Sequence, residues 1–268
     1  MVRVYSIGHR SGGRIGSLLG GERKAILLGN AAAHHAEASS LLAVANWIAA
    51  QTGATVGYLT EAANTVGAQL AGAQPGPGGL DAAQMLSGAL KAVVLLNNEP
   101  VFDSAAGAQA AQALGKAEMV VTLSPFKANM AFSDVLLPIA PFSETSGTFV
   151  NAEARVQGFH AVVRPLGDAR PAWKVLRVLA NLLDLPGFEF ESSQDVLNSL
   201  RSGFSEDATH VAAEKLSNVT QASINLSRAE VAAPVVANLY QLDGIVRRAT
   251  SLQLTADARN AAAQEVAA

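Results

Sequence analysis

Ala92-Val-Val-Leu-Leu96, followed after a turn and an alanine-rich stretch by Glu118-Met-Val-Val-Thr122, decides the fold class of this chain. Both are short, continuously apolar runs, the pattern of strands buried on both faces. Between them Ser104 is placed to N-cap a helix that ends at Gly115. Strand, helix and strand in that order form a crossover unit, which puts the two strands parallel.

The same unit recurs upstream. Ala25-Ile-Leu-Leu28 is an apolar run stopped by Gly29-Asn30. Leu41, Val44, Ala45 and Ile48 then share one helical face, and Gly53 is a C-cap. Ala54 to Leu59 reads as a second strand and Glu61 to Ala71 as a short helix. Ala73 to Gly79 is broken by Pro75, Pro77 and glycines, and Asp81 caps a helix through Gly88. Downstream, Ser133 to Pro138 is a fifth, short strand. Residues 24–187 therefore read as an α/β domain: a doubly wound, mostly parallel sheet with helices on both faces.

The flanks differ. Residues 1–23 alternate arginine and glycine without a period and read as a loose lead-in. Residues 141–168 are loop and short strand. Residues 172–183 form a helix whose polar stripe, Lys174, Arg177 and Asn181, is narrow enough to expect packing on the sheet. Pro186-Gly187 closes the domain. Residues 188–268 are more polar, a C-terminal helical or extended docking tail of low regularity. Its densest apolar cluster is Leu239 to Leu254, too little to order the tail without a surface to lie against.

Composition narrows the function classes. Of 268 residues, half are apolar and 15% charged, enough to bury a substantial core. The net charge of −3 gives no domain-wide basic footprint for nucleic acid. There is no cysteine, hence no disulfide, cysteine nucleophile or cysteine-held iron–sulfur cluster in this chain. Met1 to Arg10 lacks the apolar run of a secretory signal. The uncharged span Ala38 to Thr60 is long enough to cross a bilayer, but Gly53 divides it, and a buried helix followed by a buried strand is expected instead of a transmembrane segment.

Few residues suggest chemistry. The Gly29 to His35 turn has one of the three glycines of a dinucleotide fingerprint, so NAD binding is not expected. His34 and His35 are adjacent and project about 100° apart on a helix, which cannot serve one metal. Glu144, Asn151, Glu153, Arg155 and Gln157 form the densest polar segment; it reads either as a surface loop with an internal ion pair or as the lining of a cavity. Arg247-Arg248 lies beside Asp243-Gly-Ile-Val246. It suits docking to an acidic partner, with Ile245, Val246 and Leu252 supplying apolar contact, or else a solvated tail. No catalytic set and no metal set is visible, which speaks against a complete small enzyme.

Three stretches carry a resemblance. They are Leu95-Leu-Asn-Asn-Glu-Pro100, Phe132-Ser-Asp-Val-Leu-Leu-Pro-Ile-Ala-Pro-Phe-Ser-Glu144 and Gly147-Thr-Phe-Val-Asn-Ala-Glu-Ala-Arg-Val-Gln157. They resemble the molybdopterin oxidoreductase family. More narrowly, they resemble the large cluster-bearing subunit of bacterial NADH-quinone oxidoreductase, respiratory complex I. Leu242 to Ala258 resembles the C-terminal signature of that large subunit. Active members of the family hold a molybdenum bis-pterin-guanine dinucleotide.

The resemblance implies positions for such a ligand, and this chain departs at them. Where the family commonly reads G-x-N-P after the third strand, Asn97 stands for glycine and Glu99 for asparagine, with Pro100 retained. Where a T-E-T string contacts cofactor, this chain reads Lys127-Ala-Asn129, and Ala154 stands where glycine is usual. Glu99 would set a carboxylate against an anionic ligand. A retained fold with a lost cofactor site is therefore expected; should a cofactor bind, Asn97, Asn98, Glu144, Gly147, Asn151 and Arg155 are the candidates. The resemblance implies a structural C-terminal part of a peripheral-arm subunit, on the cytoplasmic side of the bacterial inner membrane. Other peripheral-arm subunits would be its partners, and iron–sulfur clusters would lie elsewhere in the full-length subunit. The alternative is a nucleotide- or pterin-guanine-dinucleotide-binding module of a molybdopterin-type oxidoreductase.

Overall fold

The structure, a computed structural model, describes residues 20–60, 62–88, 90–200, 209–211, 216–225 and 239–260. Most of the lead-in, residues 1–19, and much of the tail lie outside the described residues. The chain divides into two compact units, residues 1–65 with 212–236 and residues 66–211 with 237–268.

In the first unit, β1 (Ala25–Leu28) pairs in parallel with β2 (Thr55–Tyr58), Ala25 opposite Thr55. A short helix α1 (Asn30–Ala33) and a longer α2 (Ala38–Thr52) connect them. α2 ends as expected at Gly53, whose φ of 71° is the left-handed conformation that glycine adopts without steric cost. Its buried face carries Ser40, Ala43 and Ala45 rather than the expected Leu41, which is exposed. Residues 216–225 lie along this helix. Asn225 donates its N–H to Ser40 Oγ at 2.7 Å, and Asn46 Nδ2 donates to the Asn218 carbonyl at 2.9 Å. A polar Ser40 is buried there because the segment it faces supplies its hydrogen bonds.

The second unit contains the main sheet, ordered β3 (Ala92–Leu96), β4 (Met119–Ser124), β5 (Val135–Pro138), all parallel. β4 is its centre: Val120, Thr122, Leu123 and Ser124 are buried, Leu123 fully. β3 alternates instead, with Val93 and Leu95 half-buried and Val94 55% exposed. Its continuous apolar run suggested cover on both faces; Val94 and Leu96 are instead exposed.

Helices α3 (Thr65–Leu70) and α4 (Ala82–Ser87) precede β3. Asp81 caps α4 in a reciprocal box with Gln84, as its position suggested. Between β3 and β4 the expected single helix is two: α5 (Pro100–Asp103) and α6 (Ala108–Leu114). Ser104 closes the first rather than opening the second. Its hydroxyl donates back to the Pro100 carbonyl at 2.5 Å, and Gly107 is the N-cap of α6. Pro100 at the first helical position starts α5 one turn earlier than Ser104 could.

Beyond β5 the style changes where expected. β6 (Gly147–Val150) and β7 (Val156–Phe159) form an antiparallel hairpin, then α7 (Ala172–Leu182) and α8 (Ser193–Ser199) follow. α7 leaves Val178 and Leu182 exposed, so its apolar face is only partly covered within the chain. No helix of the described residues is long and apolar enough to cross a membrane.

Candidate functional site

Ligands of open α/β sheets bind outside the carboxyl ends of the strands. In the main sheet that edge is built by the turns after β3 and β4. β3 leaves its last residue through Asn97 at φ +48°, with the Asn97 N–H donating to the Leu123 carbonyl at 2.8 Å. Asn129 Nδ2 donates to the Asn98 carbonyl at 2.9 Å and ties this turn to the loop after β4. Glu99 then N-caps α5 by backbone, and Asp103 Oδ2 accepts the Glu99 N–H at 2.6 Å. The Glu99 side chain is left free of capping and points into a buried position, 5% exposed.

That carboxylate is met by the tail. Helix α9 (Leu239–Leu242) leads into a turn in which Asp243 Oδ1 accepts the N–H groups of Ile245 and Val246, both at 2.8 Å. The turn delivers Arg247 and Arg248. Arg247 Nη2 donates to Glu99 Oε2 at 2.8 Å and to Asp103 Oδ1 at 3.1 Å. Arg248 Nη2 donates to Glu99 Oε1 at 2.7 Å. Each guanidinium also covers an aromatic face, Arg247 over Phe102 at 4.7 Å and Arg248 over Phe126 at 3.9 Å from the centroid. The Arg247 side chain, 8% exposed, further donates Nη1 to the Gln241 carbonyl, while its buried Nε has no partner among the described residues. Helix α10 (Thr250–Gln253) locks the turn: Gln253 Nε2 donates to the carbonyls of Tyr240 at 3.0 Å and Val246 at 2.9 Å.

Two carboxylates and two guanidiniums cancel in charge, so desolvating them together costs far less than burying any one alone. Arg247 and Arg248, read from the sequence as suited either to an acidic partner or to solvent, meet the acids Glu99 and Asp103 of this same chain. Val246 is half-buried in the turn, whereas Ile245 and Leu252 remain exposed.

The six candidate residues do not converge. Asn97 and Asn98 edge the crevice just described. Glu144 sits apart, accepting the Leu166 N–H at 3.0 Å. Gly147, Asn151 and Arg155 belong to the β6–β7 hairpin. A Cβ at Gly147 would come within 2.5 Å of the Phe159 ring, so this glycine serves packing. Asn151 Oδ1 organises the turn by accepting the N–H groups of Glu153 at 3.0 Å and Arg155 at 2.9 Å. The internal ion pair expected for Arg155 is absent among the described residues. Arg155 is exposed and its backbone bridges to His210 instead. In the sequence Glu99 stands out only as a departure from a pattern, and Asp103, Phe102 and Phe126 do not stand out at all. Their signal was a pair of acids on one short helical turn, answerable only by a pair of cations far along the chain.

A pterin-guanine dinucleotide does not fit this crevice. The remaining cavity is about 160 Å³, well under the several hundred that a ligand of that size needs, and Glu99, Asp103 and Asp243 line it. Its cation, Arg247, is already committed to Glu99 and Asp103. α5 is a single turn with no glycine-rich approach for a pyrophosphate. A second, open groove of about 470 Å³ lies between Glu144 and the start of α7; Arg164, Arg170, Trp173 and Lys174 are among the residues that line it, with Lys174 Nζ 5.4 Å from the Trp173 ring centroid. No group of three metal-binding side chains occurs among the described residues.

Residues 14–182 match the molybdopterin oxidoreductase family, "Molybdopterin oxidoreductase". A 59-residue stretch is 42% identical to a protein of Staphylococcus aureus (strain bovine RF122 / ET3-1) named "Putative formate dehydrogenase", covering 22% of this chain and 6% of that protein. A protein of the same name from strain MRSA252 is 44% identical over 52 residues, covering 19% of this chain and 5% of its own length. The chain thus matches only a small fraction of the length of these relatives. The family match spans more than half of the chain, and on that ground this chain belongs to the molybdopterin oxidoreductase family.

Proposed function

We propose that the chain is an α/β module of a molybdopterin-type oxidoreductase that works as a structural part and binds no dinucleotide in its main crevice. Family membership and the formate dehydrogenase-type relatives support the oxidoreductase setting. The observation that carries the structural role is Glu99, a buried carboxylate at the carboxyl end of β3 that is held by the chain's own Arg247 and Arg248. An anionic dinucleotide entering there would have to displace two guanidiniums and face the acids left behind. Metal analysis and pterin fluorescence of the purified full chain test this. Background levels of molybdenum and pterin are expected, and a stoichiometric amount of either would overturn it.

The narrower form of the reading is the C-terminal part of the large cluster-bearing subunit of NADH-quinone oxidoreductase. The module would then sit on the cytoplasmic side of the inner membrane, among peripheral-arm subunits, with iron–sulfur clusters elsewhere in the longer polypeptide. It rests on the motif resemblance of residues 132–157 and 242–258; the relatives found speak more for a molybdopterin-type enzyme at large. Affinity purification of the tagged chain from its native membranes tests it. Recovery of rotenone- or piericidin-sensitive NADH–quinone activity with the tag is expected, and recovery of formate-oxidising activity alone would replace it.

A nucleotide-binding role is favoured by one feature, the groove lined by Arg164, Arg170, Lys174 and Trp173. Guanosine monophosphate titrated into the full chain by calorimetry would bind there, with loss on R164E or K174E; no heat of binding removes this second reading.

A further inference from the structure

We propose that the crevice at the carboxyl ends of β3 and β4 is a receptor for a peptide segment bearing two adjacent arginines, and that the chain's own segment 239–254 is its ligand, bound in cis as a latch. This rests on the structural reading above but makes a separate claim, that the crevice selects guanidinium groups.

The selectivity is built from both sides. On the crevice side, the two oxygens of one buried carboxylate each accept from a different arginine, Glu99 Oε2 from Arg247 at 2.8 Å and Oε1 from Arg248 at 2.7 Å. Each guanidinium plane is backed by its own ring, Phe102 or Phe126. A planar fork that both hydrogen-bonds and stacks is what guanidinium offers and an ammonium does not. Asp103 is held by the receptor itself, Oδ2 accepting the Glu99 N–H, which leaves Oδ1 to receive Arg247.

On the ligand side, the segment carries its own scaffold. Asp243 Oδ1 holds the turn, Arg247 N–H donates to the Asp243 carbonyl at 2.9 Å, and Gln253 clamps both ends. Gly244 lies against Phe126 so closely that a Cβ would stand 3.2 Å from the ring. Arg248 Nη1 donates to the Gly244 carbonyl at 2.8 Å, which aims its guanidinium back onto the same ring. The segment's hydrogen bonds are therefore mostly internal or directed at Glu99 and Asp103, the pattern of a preorganised ligand seated in a site.

The test uses the full chain carrying R247A and R248A, titrated by calorimetry with a synthetic peptide of residues 239–256. One-to-one binding is expected. It should weaken at least tenfold when the peptide carries lysine at both arginine positions, when the chain also carries E99Q, or when salt is raised from 50 mM to 0.5 M. Absence of binding, or equal binding of the arginine and lysine peptides, would overturn the proposal. If the double variant does not fold, amide hydrogen exchange decides. The chain with R247K and R248K should exchange the amides of Arg247 to Gln253 at least tenfold faster than the unaltered chain, with the amides of β4 unchanged. Equal protection would equally overturn it. Inorganic pyrophosphate and guanosine monophosphate titrated into the unaltered chain keep the two claims apart: binding in the main crevice would sink the structural reading, while the peptide result judges the latch.

Discussion

Arg247 donates to Glu99 across 148 residues of chain, at 2.8 Å and with both side chains almost fully buried. Contact between positions so far apart closes a large loop, and its entropic cost is offset only if the contact is strong. Here three ion-pair contacts converge on Glu99 and Asp103, and Phe102 and Phe126 back the two guanidiniums with cation–π contacts.

Removing Glu99 should therefore cost more than removing Arg248. Glu99→Ala leaves Arg247 buried without its main counter-charge, and a loss of about 3–5 kcal/mol is expected from such a break. Arg248→Ala removes a side chain that is one-third exposed, and roughly 1 kcal/mol is expected. Urea unfolding of the two variants checks the order. Equal midpoints for E99A and R248A would contradict it.

The centre of the sheet is the second place where a single change should be severe. Leu123 is fully buried on β4, between β3 and β5. Leu123→Ala should cost about 2–5 kcal/mol from lost burial and the cavity left behind. Val94→Ala, on the open face of β3, should cost under about 1 kcal/mol. Calorimetric melting of the two variants separates them, and a smaller effect at Leu123 would place the core elsewhere.

Two residues at which the resemblance implies glycine are left-handed here: Asn97 at φ 48° and Ala154 at φ 66°. A left-handed alanine is disfavoured by roughly 1–2 kcal/mol, while its buried methyl contributes about 0.8 kcal/mol. Ala154→Gly should thus stabilise by up to about 1 kcal/mol. Asn97→Gly should lie within a few tenths, since asparagine tolerates this region, and Asn97→Val should destabilise by at least about 1–2 kcal/mol. Chemical denaturation at equal slope reads all three.

Asp195 links α8 to pH. Hydrogen bonds from Ser192, by side chain and backbone, and from the Glu191 backbone hold its carboxyl below the usual 3.8. A lowered folded-state pKa stabilises above the unfolded value and is lost as pH falls through the folded one. The capping box of Ser192 with Asp195 should therefore loosen only below about pH 3.8. The amide resonances of Glu191, Ser192 and Asp195 should shift together in that range, with no change between about pH 5 and 8. Asp195→Asn should abolish the acid transition of these amides, and its survival would assign it to another group.

Much of the fold was readable along the chain because strands and caps are local. β3 is the expected run residue for residue, Asp81 and Gly53 cap as their types require, and the turn from Asn97 to Pro100 opens a helix through proline. Apolar runs alone did not say which faces would be covered. Val94 and Val120 look alike in sequence, yet one is exposed and the other buried, because cover depends on which helices return to which side. The candidate site divided in the same way. The sequence by itself determined that the chain is α/β, that it carries no cysteine-based chemistry, and that an acid, Glu99, follows the third strand where the resemblance implies asparagine. Only the tertiary structure decided that Glu99 is satisfied by Arg247 and Arg248. The physical reason is that a carboxylate's partner is set by distance in space and by shared desolvation, and neither is encoded in the residues that flank it.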